Sequence, residues 1–213
     1  MVNSKLKQYI EENIYKEYDK NEEGHGIKHI NSVVKRALNI AKKYDLNEDI
    51  VYTIASYHDI GHHIDAKNHE KISAKIFLED ENIKNFFNSK TIKLIKEAIE
   101  DHRASSKEEP RSIYGKAITL ADKSTDINET LLRTHYYTKK HYPNYTFDME
   151  VERAYLHLNE KYGKLGYAKQ YLQDEEYEKF IKNLQSLLED KKLFYKKYEE
   201  VIEGKREKIW VKF

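Results

Sequence analysis

Apolar residues recur along this chain at three- and four-residue intervals and rarely alternate with polar ones, which predicts helices and gives strands little support. The clearest case spans residues 27–44, where Ile27, Ile30, Val34, Ala37, Leu38 and Ala41 fall on one helical face. Residues 48–59 carry Val51, Ile54 and Ala55 and run towards Gly61, a natural stop. Asn68 is placed to N-cap a helix reaching about Glu79. Further helices are predicted over 5–20, 91–103 and 112–140, the last two separated by a polar loop at 105–111. Beyond Pro143 two more are expected, over 148–162 and 174–203, with the glycine-bounded segment 163–166 between them. The pattern predicts an all-α protein with one helical domain over 1–145 and a C-terminal helical extension over 146–213 packed on it.

Composition narrows the function classes. The 213 residues include 38 Lys and Arg against 37 Asp and Glu, a net charge of +1, so broad binding to a nucleic-acid polymer or an anionic membrane is not expected. No cysteine is present, which excludes disulfides, thiolate ligands and a cysteine nucleophile. The first residues are charged throughout and lack the apolar core of a signal peptide, and no stretch approaches the roughly 20 apolar residues of a membrane span. A cytoplasmic protein is expected. The closing KIWVKF is apolar enough to dock, at a place the sequence does not give.

The histidines change the picture. Seven of the ten fall between residues 25 and 102. His58 continues the stripe Val51, Ile54, Ala55, and His102 continues Ile95, Ala98, Ile99. His69 precedes Ile72, Ser73 and Ile76 at the same spacings, and His29 lies at the edge of its helix's apolar arc. Any one buried imidazole is satisfied by a carbonyl, but four helices each aiming a histidine inward are better explained by one shared partner, a metal. Asp59 directly follows His58, and Asp122 stands on an otherwise apolar helix with Ala117, Leu120 and Ala121. His and Asp ligands without thiolate suit Fe, Mn, Co, Ni, Zn or Mg.

The ordered stretches HGIKHINSVVKRALNIA, YHDIGHH and AITLADKSTD resemble the HD-domain metal-dependent phosphohydrolase superfamily over about residues 20–130. The resemblance implies an HD-type helical domain and a ligand set of His29, His58, Asp59 and Asp122. His69 and His102, between the His-Asp pair and the last Asp, match the two extra histidines of dinuclear members. It therefore implies two divalent ions, with Asp59 bridging them and His69 and His102 on the second. His62 stands where many dinuclear members carry lysine, and would donate to a phosphate oxygen or protonate the leaving group. His25, one turn before His29 and off the apolar arc, is expected beside the ligands or exposed, and His63 in a solvated loop.

The implied activity is hydrolysis of a small phosphate ester, with a nucleotide among the candidates, by metal-activated water, Asp59 and Asp122 accepting a hydrogen bond from that water. Charge on the substrate calls for cationic donors. Arg103, Lys107 and Arg111, with Ser105 and Ser106, lie on the loop after His102, and Lys116 and Lys123 flank Asp122. Arg103 and Lys123 are the leading ones. The Tyr- and Lys-rich run 135–145 is a solvated helix end or a cover whose rings stack on a base. Two alternatives stay open: a di-iron oxygenase, which uses the same six ligands in some HD-domain proteins, and a non-catalytic metal-binding sensor.

Overall fold

The computed structural model describes the chain except residues Glu22, Ala104, Ser105, Lys107 and 211–213, and except the side chains of Glu23 and residues 205–210. Ser105, Lys107 and most of the closing KIWVKF thus lie outside the described residues. Among those described there are eleven α-helices and no strand, and no helix is long and apolar enough to cross a membrane. The helices are α1 (Ser4–Asn13), α2 (Ile27–Lys43), α3 (Glu48–Tyr57), α4 (His69–Glu79), α5 (Glu81–Lys84), α6 (Ser89–Asp101), α7 (Ile113–Ala121), α8 (Ile127–His141), α9 (Phe147–Tyr162), α10 (Glu175–Glu189) and α11 (Lys191–Trp210). Two 3-10 turns, Tyr15–Lys20 and Glu23–His25, link α1 to α2.

Three helices differ from the sequence expectation, each for a local reason. The predicted opening helix stops at Asn13, whose amide donates to the Tyr9 carbonyl, and continues only as a 3-10 turn. The span 112–140 breaks after Ala121, because Asp126 caps a new helix by accepting from the Glu129 N–H at 2.8 Å. The span 174–203 breaks at Asp190, which accepts from the Leu193 N–H at 3.0 Å. Asn68 does precede α4, but makes no cap. Its side chain donates instead to Asp65.

The contacts divide the chain into two compact units, Met1–Lys123 and Ser124–Phe213. Residues 124–145, which the sequence pattern groups with the first part, hold α8, and α8 packs on α9 and α11.

The first unit is organised around α3, whose residues from Ile50 to Tyr57 are all buried. A helix buried on every side cannot be amphipathic, and IVYTIASY offers only two hydroxyl residues and two tyrosines to break its apolar character. α2, α6 and α7 pack against it, and α6 joins α4. Tyr57 donates to the Asp80 carboxylate at 2.6 Å, and Asp80 also caps α5 and accepts from Tyr9. Past the end of α3 the chain turns at Gly61, whose N–H donates to Ser73 Oγ at 3.0 Å. A Cβ there would lie 2.6 Å from Ile72 Cγ2 and 2.9 Å from the Ser73 backbone nitrogen, so only glycine lets this turn lie against α4.

In the second unit Leu131, Ala154, Leu158, Leu184 and Phe194 form a core, and Glu150 is enclosed with them. Its carboxylate pairs with His135, accepts from Tyr198 at 2.9 Å and meets Lys139 at 2.9 Å, tying α8, α9 and α11 together. Burial alone would raise the Glu150 carboxyl, but these three donors outweigh it and hold it below the usual carboxylate range.

Two outcomes follow from the packing. Gly61→Ala should lower stability by about 1–3 kcal/mol through overpacking against α4, read by urea unfolding in chelator; wild-type stability would mean the turn and α4 separate freely. Because Glu150 has a depressed folded-state pKa, its contribution is complete above the ordinary value of 4.5 and is lost as pH falls through the lower folded value. Glu150→Gln should therefore unfold with a shallower acid-side loss of stability than wild type, and an unchanged acid slope would sink this account.

Candidate metal centre

All six sequence-derived ligand positions lie in the first unit, and they occupy helix ends. His58, His102 and Asp122 are the C-cap residues of α3, α6 and α7. His69 opens α4, His29 lies in the first turn of α2, and Asp59 is in the turn after α3. Three helices thus end at the centre with their C-termini, where unpaired carbonyls place partial negative charge and favour a cation.

The same carbonyls set the histidine tautomers. His58 Nδ1 lies 2.8 Å from the Ala55 carbonyl oxygen, His69 Nδ1 2.9 Å from that of Ala66, and His102 Nδ1 2.6 Å from that of Ile99. A carbonyl only accepts, so each Nδ1 carries the proton and donates. In the neutral ring the lone pair is then on Nε2. Those Nε2 atoms converge: His69 and His102 approach to 3.1 Å, and each lies 3.3 and 3.4 Å from Asp59 Oδ1 respectively. On the other side, Asp59 Oδ2 lies 3.5 Å from His29 Nε2 and 3.6 Å from His58 Nε2. Asp122 Oδ1 is 3.1 Å from His29 Nε2 and 3.7 Å from His58 Nε2.

These approaches are close, yet three of the buried atoms (His29 Nε2, His58 Nε2 and Asp59 Oδ1) make no hydrogen bond of acceptable geometry. Unsatisfied buried nitrogen and carboxylate oxygen atoms are costly, and a cation among them would use their lone pairs. Donor atoms of His29, His58 and Asp122, and of His58, Asp59 and His102, fall within 4.8 Å of one another. The residues fit a divalent metal.

The electrostatics agree. Burial would raise the Asp59 carboxyl, but His58 foremost, then His102, His25 and His29, hold it well below the usual range. Asp122 is held down in the same way against its burial by His29 and His58. Burial would lower His29, yet Asp122 and Asp59 push it up to about 9. Of the facing pair, burial and the charge of His102 lower His69, whereas Asp59 outweighs burial and raises His102.

The surrounding residues divide. His62 stacks on His25 with ring centroids 3.8 Å apart and lies 5.2 Å from the His69 ring. His25 is partly exposed, but its Nδ1 is 2.7 Å from Asp59 Oδ2. Helical phase missed this contact because His25 sits in the 3-10 turn before α2, where no 3.6-residue period applies. His63 is exposed in the turn after Asp59.

Among the expected phosphate donors, Arg103 reaches the Lys67 carbonyl and Glu70, 3.3 Å away. Arg111 donates to Asp101, to Glu100 at 2.8 Å and to the Glu97 carbonyl at 2.9 Å. Lys116 pairs with Glu109, and Lys123 is buried at the end of α7. An open cleft is lined by Lys71, Arg103 and Arg111 together with five carboxylates, Glu70, Glu100, Asp101, Glu108 and Glu109, and no ligand histidine is among its lining residues.

No curated protein and no solved structure matches the chain significantly. Residues 26–125 match the family model of the HD domain, a stretch that contains every ligand position above. With their ordered His, His-Asp and Asp at converging helix ends, residues 26–125 form an HD domain.

Proposed function

We propose that the protein is a metal-dependent phosphohydrolase acting on a small phosphate ester, with nucleotides among the candidate substrates, and that its centre holds two divalent ions. One observation carries the reading: the two oxygens of Asp59 face different imidazoles, Oδ2 towards His29 and His58, with His25 nearer at 2.7 Å, and Oδ1 towards His69 and His102. A carboxylate so placed suits a bridge between two ions. Asp122, with His29 and His58, would complete one site, and His69 with His102 the other. Two bound ions supply Lewis acidity towards the phosphoryl oxygens and towards a water molecule.

The chain's own groups have distinct tasks. Asp59 and Asp122, both held ionised, accept hydrogen bonds from the attacking water and orient it towards phosphorus. The water oxygen bonds to phosphorus and releases its proton to solvent as the P–O ester bond opposite breaks, and the leaving oxygen takes a proton from a protonated imidazole, which solvent then restores. His62 suits that task, because it is half-buried and stacked on His25. His58, His69 and His102 do not, since their Nδ1 protons are committed to carbonyls. Arg103 is placed to turn from Glu70 to a phosphoryl oxygen, and Lys123 to add charge beside Asp122. Arg111 and Lys116 would bind substrate only by leaving the carboxylates they now pair with.

Asp59→Ala should lose bound metal and phosphate release together, measured by elemental analysis and a phosphoester panel with Mn²⁺, Co²⁺, Ni²⁺, Fe²⁺, Zn²⁺ and Mg²⁺. Retention of both removes the basis of the reading, and a mixed-valence iron centre consuming O₂ in the wild type replaces hydrolysis with oxygenation. His69→Ala and His102→Ala should each lower the metal content from about two ions per chain towards one. An unchanged content in both variants means a single ion beside two structural histidines.

A further inference from the structure

We propose that Asn21 is a positioning residue of the metal centre, locking the Asp59 turn to the segment that carries His25. The inference rests on the metal-centre reading above and extends it to a residue outside the ligand set. Asn21 follows the 3-10 turn Tyr15–Lys20, on a stretch without helical period. Its Nδ2 donates to two carbonyl oxygens, that of Asp59 at 2.9 Å and that of His25 at 3.0 Å. Its Oδ1 accepts from the His63 N–H at 3.0 Å and from His63 Nδ1 at 3.1 Å. Both amide hydrogens and both oxygen lone pairs are therefore used.

The partners also fix which way the amide points. Turning it over would aim Oδ1 at two carbonyl oxygens and Nδ2 at a backbone N–H. Only the observed orientation satisfies all of them.

Three links make this a matter of the centre and not of a loop alone. The Asp59 carbonyl lies beyond the end of α3, where it accepts from the His62 N–H of its own turn at 3.0 Å and takes its second partner from Asn21. Asn21 bonds the main chain of the residue whose carboxylate would help to hold both proposed ions. The same amide bonds the main chain of His25, whose ring contacts that carboxylate at 2.7 Å. The result is a closed ring of contacts: Asn21 to the Asp59 carbonyl, Asp59 Oδ2 to His25, and the His25 carbonyl back to Asn21. Tyr18 buttresses the same helix end, donating to the Ser56 carbonyl at 2.9 Å. Without the Asn21 amide, the His25–Asp59 contact and the His25–His62 stack would remain to join the Asp59 turn to the His25 segment, and the angle of Asp59 to the four ligand imidazoles would be held less firmly.

Outer partners of metal ligands commonly contribute about 10- to 100-fold in affinity. The test titrates Co²⁺ into chelator-stripped full-length wild type, N21D and N21S, following visible d–d absorption. N21D keeps the side-chain shape and an acceptor for His63 but sets a carboxylate oxygen against the two carbonyls. N21S removes the reach without adding charge.

Both variants should bind Co²⁺ about 10-fold or more weakly and with an altered absorption envelope. Their urea unfolding in chelator, read by circular dichroism, gives the loss of fold separately. A merely structural residue would lower that midpoint while leaving the affinity and spectrum of folded protein unchanged, and this result overturns the proposal. Should N21D not fold in chelator, N21S decides by the same criteria. If the wild type binds no Co²⁺, the metal reading fails and the role of Asn21 fails with it. Wild-type binding with unaltered variants removes the role of Asn21 alone.

Discussion

A carboxylate that is almost wholly buried yet held ionised constrains everything around it. Asp59 is 2% exposed, and a charge so enclosed persists only where opposite charge or hydrogen-bond donors surround it. Imidazoles from five positions, His25, His29, His58, His69 and His102, lie within 3.6 Å of its oxygens. Bringing them there requires α2, α3, α4 and α6 to end or begin at one point. That in turn requires α3 to run through the middle of the unit and the chain beyond it to turn closely against α4. Gly61 is the residue that permits the second, and the unbroken burial of α3 achieves the first.

Much of this centre is legible in the sequence, for a physical reason. A histidine that continues an apolar helical stripe points where the stripe points, so His58 and His102 declare their direction through Ile54, Ala55, Ala98 and Ile99. His25 and Asn21 lie in 3-10 turns and their margins, where apolar spacing carries no direction, and only the folded chain shows what they meet. The breaks near 122 and 190 are obscured because apolar residues resume in phase on the far side. Asp126 and Asp190 are the signals, and both read as ordinary surface charges until their caps are seen. The pairing of Arg111 with Asp101 and Glu100 is likewise invisible in a chain so rich in both signs.

The second unit solves a related problem without a metal-type cluster among its described residues. Glu150 is as enclosed as Asp59, but its neighbours are an imidazole, an ammonium and a phenol, all able to donate. Its Oε1 takes the His135 ring and the Tyr198 hydroxyl, whereas Oε2 makes no hydrogen bond of acceptable geometry and is balanced by the Lys139 ammonium 2.9 Å away. Near Asp59 and His58 buried atoms are left without a hydrogen bond. The two buried acids differ in what surrounds them: a lysine ammonium stands beside Glu150, whereas Asp59 stands among imidazole nitrogens that themselves lack a hydrogen bond.

The placement of the ligands at helix termini sets how the centre responds to motion. Terminal turns open at far lower cost than helix middles, so they fray while the core stays folded. His69 is the first residue of α4, and its ring is held by a carbonyl that lies outside the helix. A single unwinding there would remove one nitrogen from the centre without disturbing α3. The hold on an ion would then depend on local opening of the first turn of α4 as well as on the global unfolding free energy. A bound cation would slow hydrogen exchange first at that turn, making the start of α4 a reporter of occupancy.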